Sequence, residues 1–229
     1  MKKIAILQSN YIPWKGYFDL INMVDEFVLY DDMQYTRRDW RNRNKVQSSS
    51  GLKWLTIPVN VKGKYYQKIN ETKISDEDWA IKHWQTIKQF YSKADYFKEY
   101  NPLFEEFYLN CQEEYLSQVN FQLIKIINQI LGIKTKINWS SDYTLVDGQT
   151  EKLLGICEQA GATTYLSGPA AKDYFDESLA AKKEIKVEWM DYSGYPEYQQ
   201  LHQPFEHGVT ILDLIFNEGP NAYKFMKSF

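Results

Sequence analysis

Two polar runs near the start of the chain carry side chains suited to gripping and transforming an anionic ligand. The first, QSNYIPWKGY over residues 8–17, closes an apolar stretch and leads into residues at helical spacing. A loop that opens onto a helix N-terminus presents free backbone N–H groups and the positive end of the helix dipole, which suits phosphate or carboxylate. Gln8, Asn10, Tyr11, Trp14 and Tyr17 supply binding and stacking groups, Gly16 permits close approach of a ligand, and Lys15 supplies a charge for catalysis. The second run, DDMQYTRRDWRNRN over residues 31–44, holds three carboxylates and four arginines. Arginine forks read carboxylate and phosphate bidentately, so Gln34, Arg37, Asn42, Arg43 and Asn44 are expected to bind a ligand such as a nucleotide diphosphate. Asp31 and Asp32 are the catalytic candidates, as a base or as carboxylate ligands of Mg²⁺. A solvated, salt-bridged loop is the alternative reading of this run.

A third candidate is the turn Ser167-Gly168-Pro169 with nearby Tyr174, because a Ser-Gly turn after a strand donates N–H groups to phosphate. Among the histidines, His83 shares a helix face with Trp79, Ile87 and Phe90 and reads as a packed residue. His202 and His207 lie in a proline-containing loop, and either would serve as an acid or base near neutral pH. Cys111 and Cys157 form neither a CxxC pair nor a His-spaced metal pattern, so both are expected to be reduced core residues. The chain has no metal triad, no Gly-x-Ser-x-Gly and no Gly-Lys-Ser/Thr phosphate loop.

The elements that must position these residues follow from hydrophobic spacing. Ile4 to Leu7 reads as a buried strand, Tyr17 to Val24 as a short helix and Phe27 to Tyr30 as a second buried strand. This βαβ opening predicts a parallel sheet with both polar runs at its carboxyl edge, where open α/β sheets bind ligands. Segments 45–47 and 54–59 flank a Ser-Ser-Ser-Gly turn and predict a hairpin. Residues 69–74 read as a further strand. Helices are expected over 76–91, 102–111 and 116–131, with Ser75 capping the first and Gly132 ending the last. This helical block, about 76–131, reads as an insertion within a single domain spanning 1–229. The α/β pattern resumes with strands at 137–140, 163–166 and 185–190 and helices at 149–160, 170–174 and 209–216. The fold class is therefore α/β, a parallel Rossmann-like core with a hairpin excursion and a helical insertion.

The runs QSNYIPWKGYF (8–18), YDDMQYTRRDWRNRN (30–44), WLTIPV (54–59), YLSGPAAKDY (165–174) and VTILDLIFN (209–217) resemble the WbqC-like protein family nearly end to end. That resemblance implies a setting in bacterial surface-polysaccharide (O-antigen type) biosynthesis, with acyl or amino-acid decoration of a sugar as a role. Trp14-Lys15-Gly16-Tyr17 also resembles the His-x-Gly-His site of HUP-superfamily nucleotidyltransferases. It keeps the glycine and lacks both histidines.

A formal charge of −3, from 27 basic and 30 acidic residues, leaves no basic pole for nucleic acid. No stretch approaches the roughly 18 apolar residues of a membrane span, and the N-terminal apolar run is too short for a signal peptide. A cytoplasmic protein is expected. The function expected is transfer of an acyl or aminoacyl group to an amino sugar, carried on a nucleotide, with ATP and Mg²⁺ as the candidate cofactor for an acyl adenylate. A non-catalytic sugar-nucleotide-binding protein and a nucleotidyltransferase are the alternatives.

Overall fold

The computed structural model describes residues 1–229. Five parallel strands, β1 (Lys3–Leu7), β2 (Glu26–Leu29), β5 (Lys136–Trp139), β6 (Thr164–Ser167) and β7 (Lys186–Trp189), form one sheet in the order β5-β2-β1-β6-β7. Counted among themselves these strands run 3-2-1-4-5, the order of the first five strands of a Rossmann sheet. A separate antiparallel hairpin joins β3 (Arg43–Ser48) to β4 (Gly51–Thr56). The helices are α1 (Lys15–Asn22), α2 (Trp79–Tyr91), α3 (Phe97–Asn110), α4 (Leu116–Leu131), α5 (Gln149–Gln159), α6 (Glu177–Lys182) and α7 (Ile211–Glu218).

Period-two alternation explains the layers, since successive strand side chains point to opposite faces. Ala5, Phe27 and Leu29 enter one apolar cluster with α1, α2, α3, α4, α7 and the hairpin. Ile4, Ile6, Val28 and Tyr30 enter a second cluster with α5 and α6. Being buried on both faces, β2 is apolar at each of Phe27, Val28 and Leu29, as parallel strands between helical layers are.

The ladders differ in length. β1 pairs with β2 from Ile4↔Glu26 to Leu7↔Leu29, whereas β1 pairs with β6 only at Lys3↔Thr164 and Ile4↔Tyr165. Beyond Ile4 the two strands are no longer paired, and the sheet opens between their carboxyl ends. This is also where strand order reverses: the chain builds outward from β1 through β2 and β5, then returns to β1's other side as β6.

Several elements depart from sequence expectation for local reasons. Residues 69–74 form no strand: Ile69–Glu71 is a 3-10 turn, flanked by isolated bridges at Val59↔Ile74 and Lys73↔Tyr115. Local bonds win there, with the Lys68 N–H donating to the Glu71 carboxylate and the Thr72 hydroxyl to the Lys68 carbonyl. α3 starts five residues before the expected Pro102 and carries that proline inside it. Proline leaves the carbonyl four residues back without its donor, and the Asn101 amide supplies one at 3.2 Å to the Lys98 carbonyl. α2 begins at Trp79 rather than Asp76, and Ser75 does not cap it; the Asp76 carboxylate instead accepts from the Asp78 N–H. α6 is an addition, capped by Asp176. Gly132 ends α4 in the left-handed conformation, φ 72°, as its position suggests. No helix is long and apolar enough to cross a membrane.

Candidate functional site

The opening between β1 and β6 is the floor of a cavity of about 640 Å³. Leu7 and Gln8 line it from the end of β1, Tyr30 and Met33 from the end of β2, and Ser167 and Gly168 from the end of β6. Gly148, Gln149 and Lys152 enter from the first turn of α5, and Tyr174 stands half exposed at the rim. α5 has no side-chain cap: its N-cap residue is Gly148, at φ 96°. Its first backbone N–H groups therefore remain for a ligand, although the Glu151 carboxylate folds back against Gly148. Lys152 and Arg41 are the charged side chains in the lining, both cationic, while Tyr30, Tyr165, Leu153 and Met33 make an apolar wall. An apolar wall with a few convergent cationic and N–H groups suits a nucleotide, whose base is flat and whose phosphates are anionic.

Arg41 also organises what lies next door. Its guanidinium donates to the Gln8 side-chain carbonyl at 2.8 Å and to that of Asn10, and stands 3.6 Å from Asp39. The Tyr11 N–H donates to the Trp40 carbonyl, and the Asn120 amide ties the Arg41 carbonyl to the Ser9 hydroxyl. The two polar runs are thus laced side by side, as the βαβ reading requires. Across this seam lies a second cavity, about 340 Å³, lined by Asn10, Pro13, Trp14, Trp40, Asn44, His207 and Gly208.

The rest of the sequence-selected residues divide by location. Gln34 and Arg37 line a third hollow with Lys64 and Tyr65, away from the β1/β6 opening. Asn42 donates its amide to the Ile57 carbonyl, and Arg43 stacks 4.1 Å over Trp54. Tyr11 is fully buried against His83 and Tyr108, and the Tyr17 hydroxyl donates to the Gln8 carbonyl. Lys15 turns from both cavities, donating to the Pro196 carbonyl beneath Tyr195 and Tyr198, and burial lowers its pKa to about 8 against the pull of Asp19. At Gly16 a Cβ would strike the Trp14 ring. Its glycine serves an indole that packs edge-on to Tyr192 and Tyr195 rather than a ligand.

Asp31 and Asp32 part company. One Asp31 oxygen accepts the Ser9 N–H at 2.8 Å and the other is sealed without a partner. Burial pushes its pKa up to about 6, against the pull of Ser9 and Arg41. Asp32 accepts from the Ser140 hydroxyl at 2.7 Å, Lys68 at 3.2 Å and Asn70 at 3.3 Å. Burial opposes its ionisation, but those donors hold its pKa below the usual range. With these oxygens sealed or engaged, the pair does not fit a Mg²⁺ ion, and no group of three His, Cys, Asp or Glu side chains is placed to hold a metal. His202 donates its Nε2–H to the Phe90 carbonyl at 2.9 Å and serves the fold.

A family model matches residues 8–225, essentially the whole chain, under the description WbqC-like protein family. The chain belongs to that family. The chain is also 52% identical over 227 residues to "Uncharacterized protein Rv1507c" of Mycobacterium tuberculosis (strain ATCC 25618 / H37Rv), covering 99% of this chain and 98% of that one. No solved structure matches the chain.

Sequence reasoning missed Arg41 as a site residue, although it stands in the selected run, and missed Tyr30, Gln149, Lys152 and Tyr165. The signal for Gln149 and Lys152 was present: Gly148 precedes a helix at the carboxyl edge of the sheet, the pattern applied to residues 8–17.

Proposed function

We propose that this WbqC-like protein transfers an acyl or aminoacyl group to the amine of a nucleotide-linked amino sugar in bacterial surface-polysaccharide biosynthesis. The observation that carries the reading is the parting of β1 from β6 at the switch point of the sheet, roofed by the uncapped α5 and edged by Arg41 and Lys152. Ligands of open α/β sheets bind at that place. Family membership supports the polysaccharide setting.

In this reading the base and ribose lie on the Tyr30, Tyr165 and Tyr174 side, and Lys152, Arg41 and the α5 N–H groups hold phosphate oxygens. The amine's lone pair attacks the acyl carbonyl carbon, a C–N bond forms, and the C–O bond of an acyl adenylate or the C–S bond of a thioester breaks. AMP or the thiolate leaves with the electron pair, and the amine proton passes to a base. Asp31 and Asp32 position the loops and do not touch substrate.

The absence of a carboxylate among the lining residues favours a second reading, a sugar-nucleotide-binding protein without turnover. Incubation with dTDP- and UDP-linked amino sugars separates the two, using acyl-CoA or ATP with an amino acid as donor and mass spectrometry as readout. Acyl transfer predicts a sugar nucleotide heavier by the acyl group. An unchanged sugar nucleotide that nonetheless binds selects the binding protein, and pyrophosphate released from a sugar phosphate and nucleoside triphosphate selects nucleotidyl transfer.

A further inference from the structure

Cavity contents divide by charge across the Arg41 seam. The larger cavity carries Arg41 and Lys152, whereas the smaller one has no Lys, Arg, Asp or Glu in its lining. What it has instead is two indoles, Trp14 and Trp40, one amide free to donate, one imidazole and a glycine. Arg41 fixes the amide's orientation: it donates to the Asn10 carbonyl oxygen, so the Asn10 nitrogen is left for a ligand. The Asn44 amide is spent on the Tyr11 and Ile12 carbonyls, at 3.1 and 2.8 Å, and so builds the wall. Those bonds meet the chain where Ile12 takes φ 37°, a left-handed conformation that a β-branched residue avoids.

Flat aromatic faces beside neutral planar donors and an imidazole suit a ring whose C–H face is apolar and whose edge bears hydroxyls. At about 340 Å³ the space lies at the small end of ligand sites, which run roughly 300–1,000 Å³. We infer that this second cavity seats the pyranose ring of the acceptor sugar, stacked on Trp40 and hydrogen-bonded by Asn10 and His207. The inference rests on the proposed function for the identity of the acceptor, but the ring-binding site stands on its own residues. It also explains Arg41, which bonds one lining residue of each cavity, Gln8 and Asn10, and so stands where sugar and phosphate halves of one molecule would meet. His207, whose ring packs 4.6 Å from Phe205, is the one histidine lining either cavity and is placed to take the amine proton.

The test uses the full chain with indole ¹⁵N labels and the methyl glycoside of glucosamine as probe. Titration at millimolar glycoside is expected to move the Trp14 and Trp40 indole resonances and leave Trp84, fully buried elsewhere, unmoved. Trp40 is 42% exposed and packs on the half-exposed Trp54, so Trp40→Ala is expected to fold. It is expected to weaken glycoside binding about tenfold, the loss of one aromatic contact, with Trp40→Phe retaining most of it. Lys152→Ala should leave the glycoside titration unchanged. Resonances of Trp14 and Trp40 that stay fixed, or a Trp40→Ala variant that binds the glycoside as tightly as the parent, would overturn the sugar seat. Nucleotide binding is read separately by melting: a nucleotide that stabilises without any glycoside effect sinks this inference alone. A glycoside that binds where no nucleotide does sinks the proposed function and leaves the sugar seat intact.

Discussion

Arg41→Ala is expected to weaken nucleotide or sugar-nucleotide binding by about two orders of magnitude. Charge-assisted hydrogen bonds contribute about 1.5–3 kcal/mol each, and about 1.4 kcal/mol is tenfold in affinity. The same truncation frees Gln8 and Asn10, which the guanidinium holds in place from opposite cavities. Arg41→Lys should recover little, because an ammonium lacks the planar fork that reaches two acceptors at once. The fold should survive, since the Asn120 amide bonds the Arg41 backbone carbonyl and not its side chain. Calorimetric titration of both variants with UDP and dTDP checks this; affinities within threefold of the parent would remove Arg41 from the site.

The second large effect is on stability. Asp31→Asn is expected to stabilise the protein at neutral pH, and the gain should vanish in acid. Burial raises the folded-state pKa of Asp31 from 3.8 to about 6. The folded protein therefore holds this proton more tightly than the unfolded chain. The stabilisation that goes with the protonated form is complete below about pH 4 and is lost as pH rises through about 6. At about 1.36 kcal/mol per pKa unit the loss by pH 7 is about 3 kcal/mol. Asparagine keeps the oxygen that accepts the Ser9 N–H and places no charge on the sealed side. Urea unfolding of parent and variant from pH 4 to pH 7 should give curves that diverge with pH. Parallel curves would mean that Asp31 ionises in the fold as it does in water.

The legible part of the fold was the part set by local spacing. Strand β1 and the alternation of β2 between two apolar clusters follow from residues 4–7 and 27–30 read two at a time. Their placement put both polar runs on one edge, and the Tyr11 to Trp40 backbone bond is that adjacency made concrete. What spacing cannot show is which neighbour captures a side chain. Lys15 has the composition of a phosphate ligand, yet Pro196, Tyr195 and Tyr198, some 180 residues away in sequence, take it. Asp32 likewise meets Lys68, Asn70 and Ser140 only in three dimensions. The switch between β1 and β6 depends on strand order, which no single segment encodes. Hence spacing predicts α5 as a helix without marking its first turn as an edge of the larger cavity, and assigns that part to the first turn of α1 instead.

Ligand-dependent melting is the direct test of the cavity between β1 and β6 as a nucleotide seat. Parent and Lys152→Ala proteins would be melted with ATP–Mg²⁺, dTDP, UDP and acyl-CoA, each alone. Ligand at 100 times its dissociation constant adds about 2.7 kcal/mol, which for a chain of 229 residues raises the midpoint by roughly five to ten degrees. Such a rise is expected with at least one nucleotide in the parent, and its loss in Lys152→Ala. No rise with any of the four, or a rise that Lys152→Ala leaves intact, would contradict it.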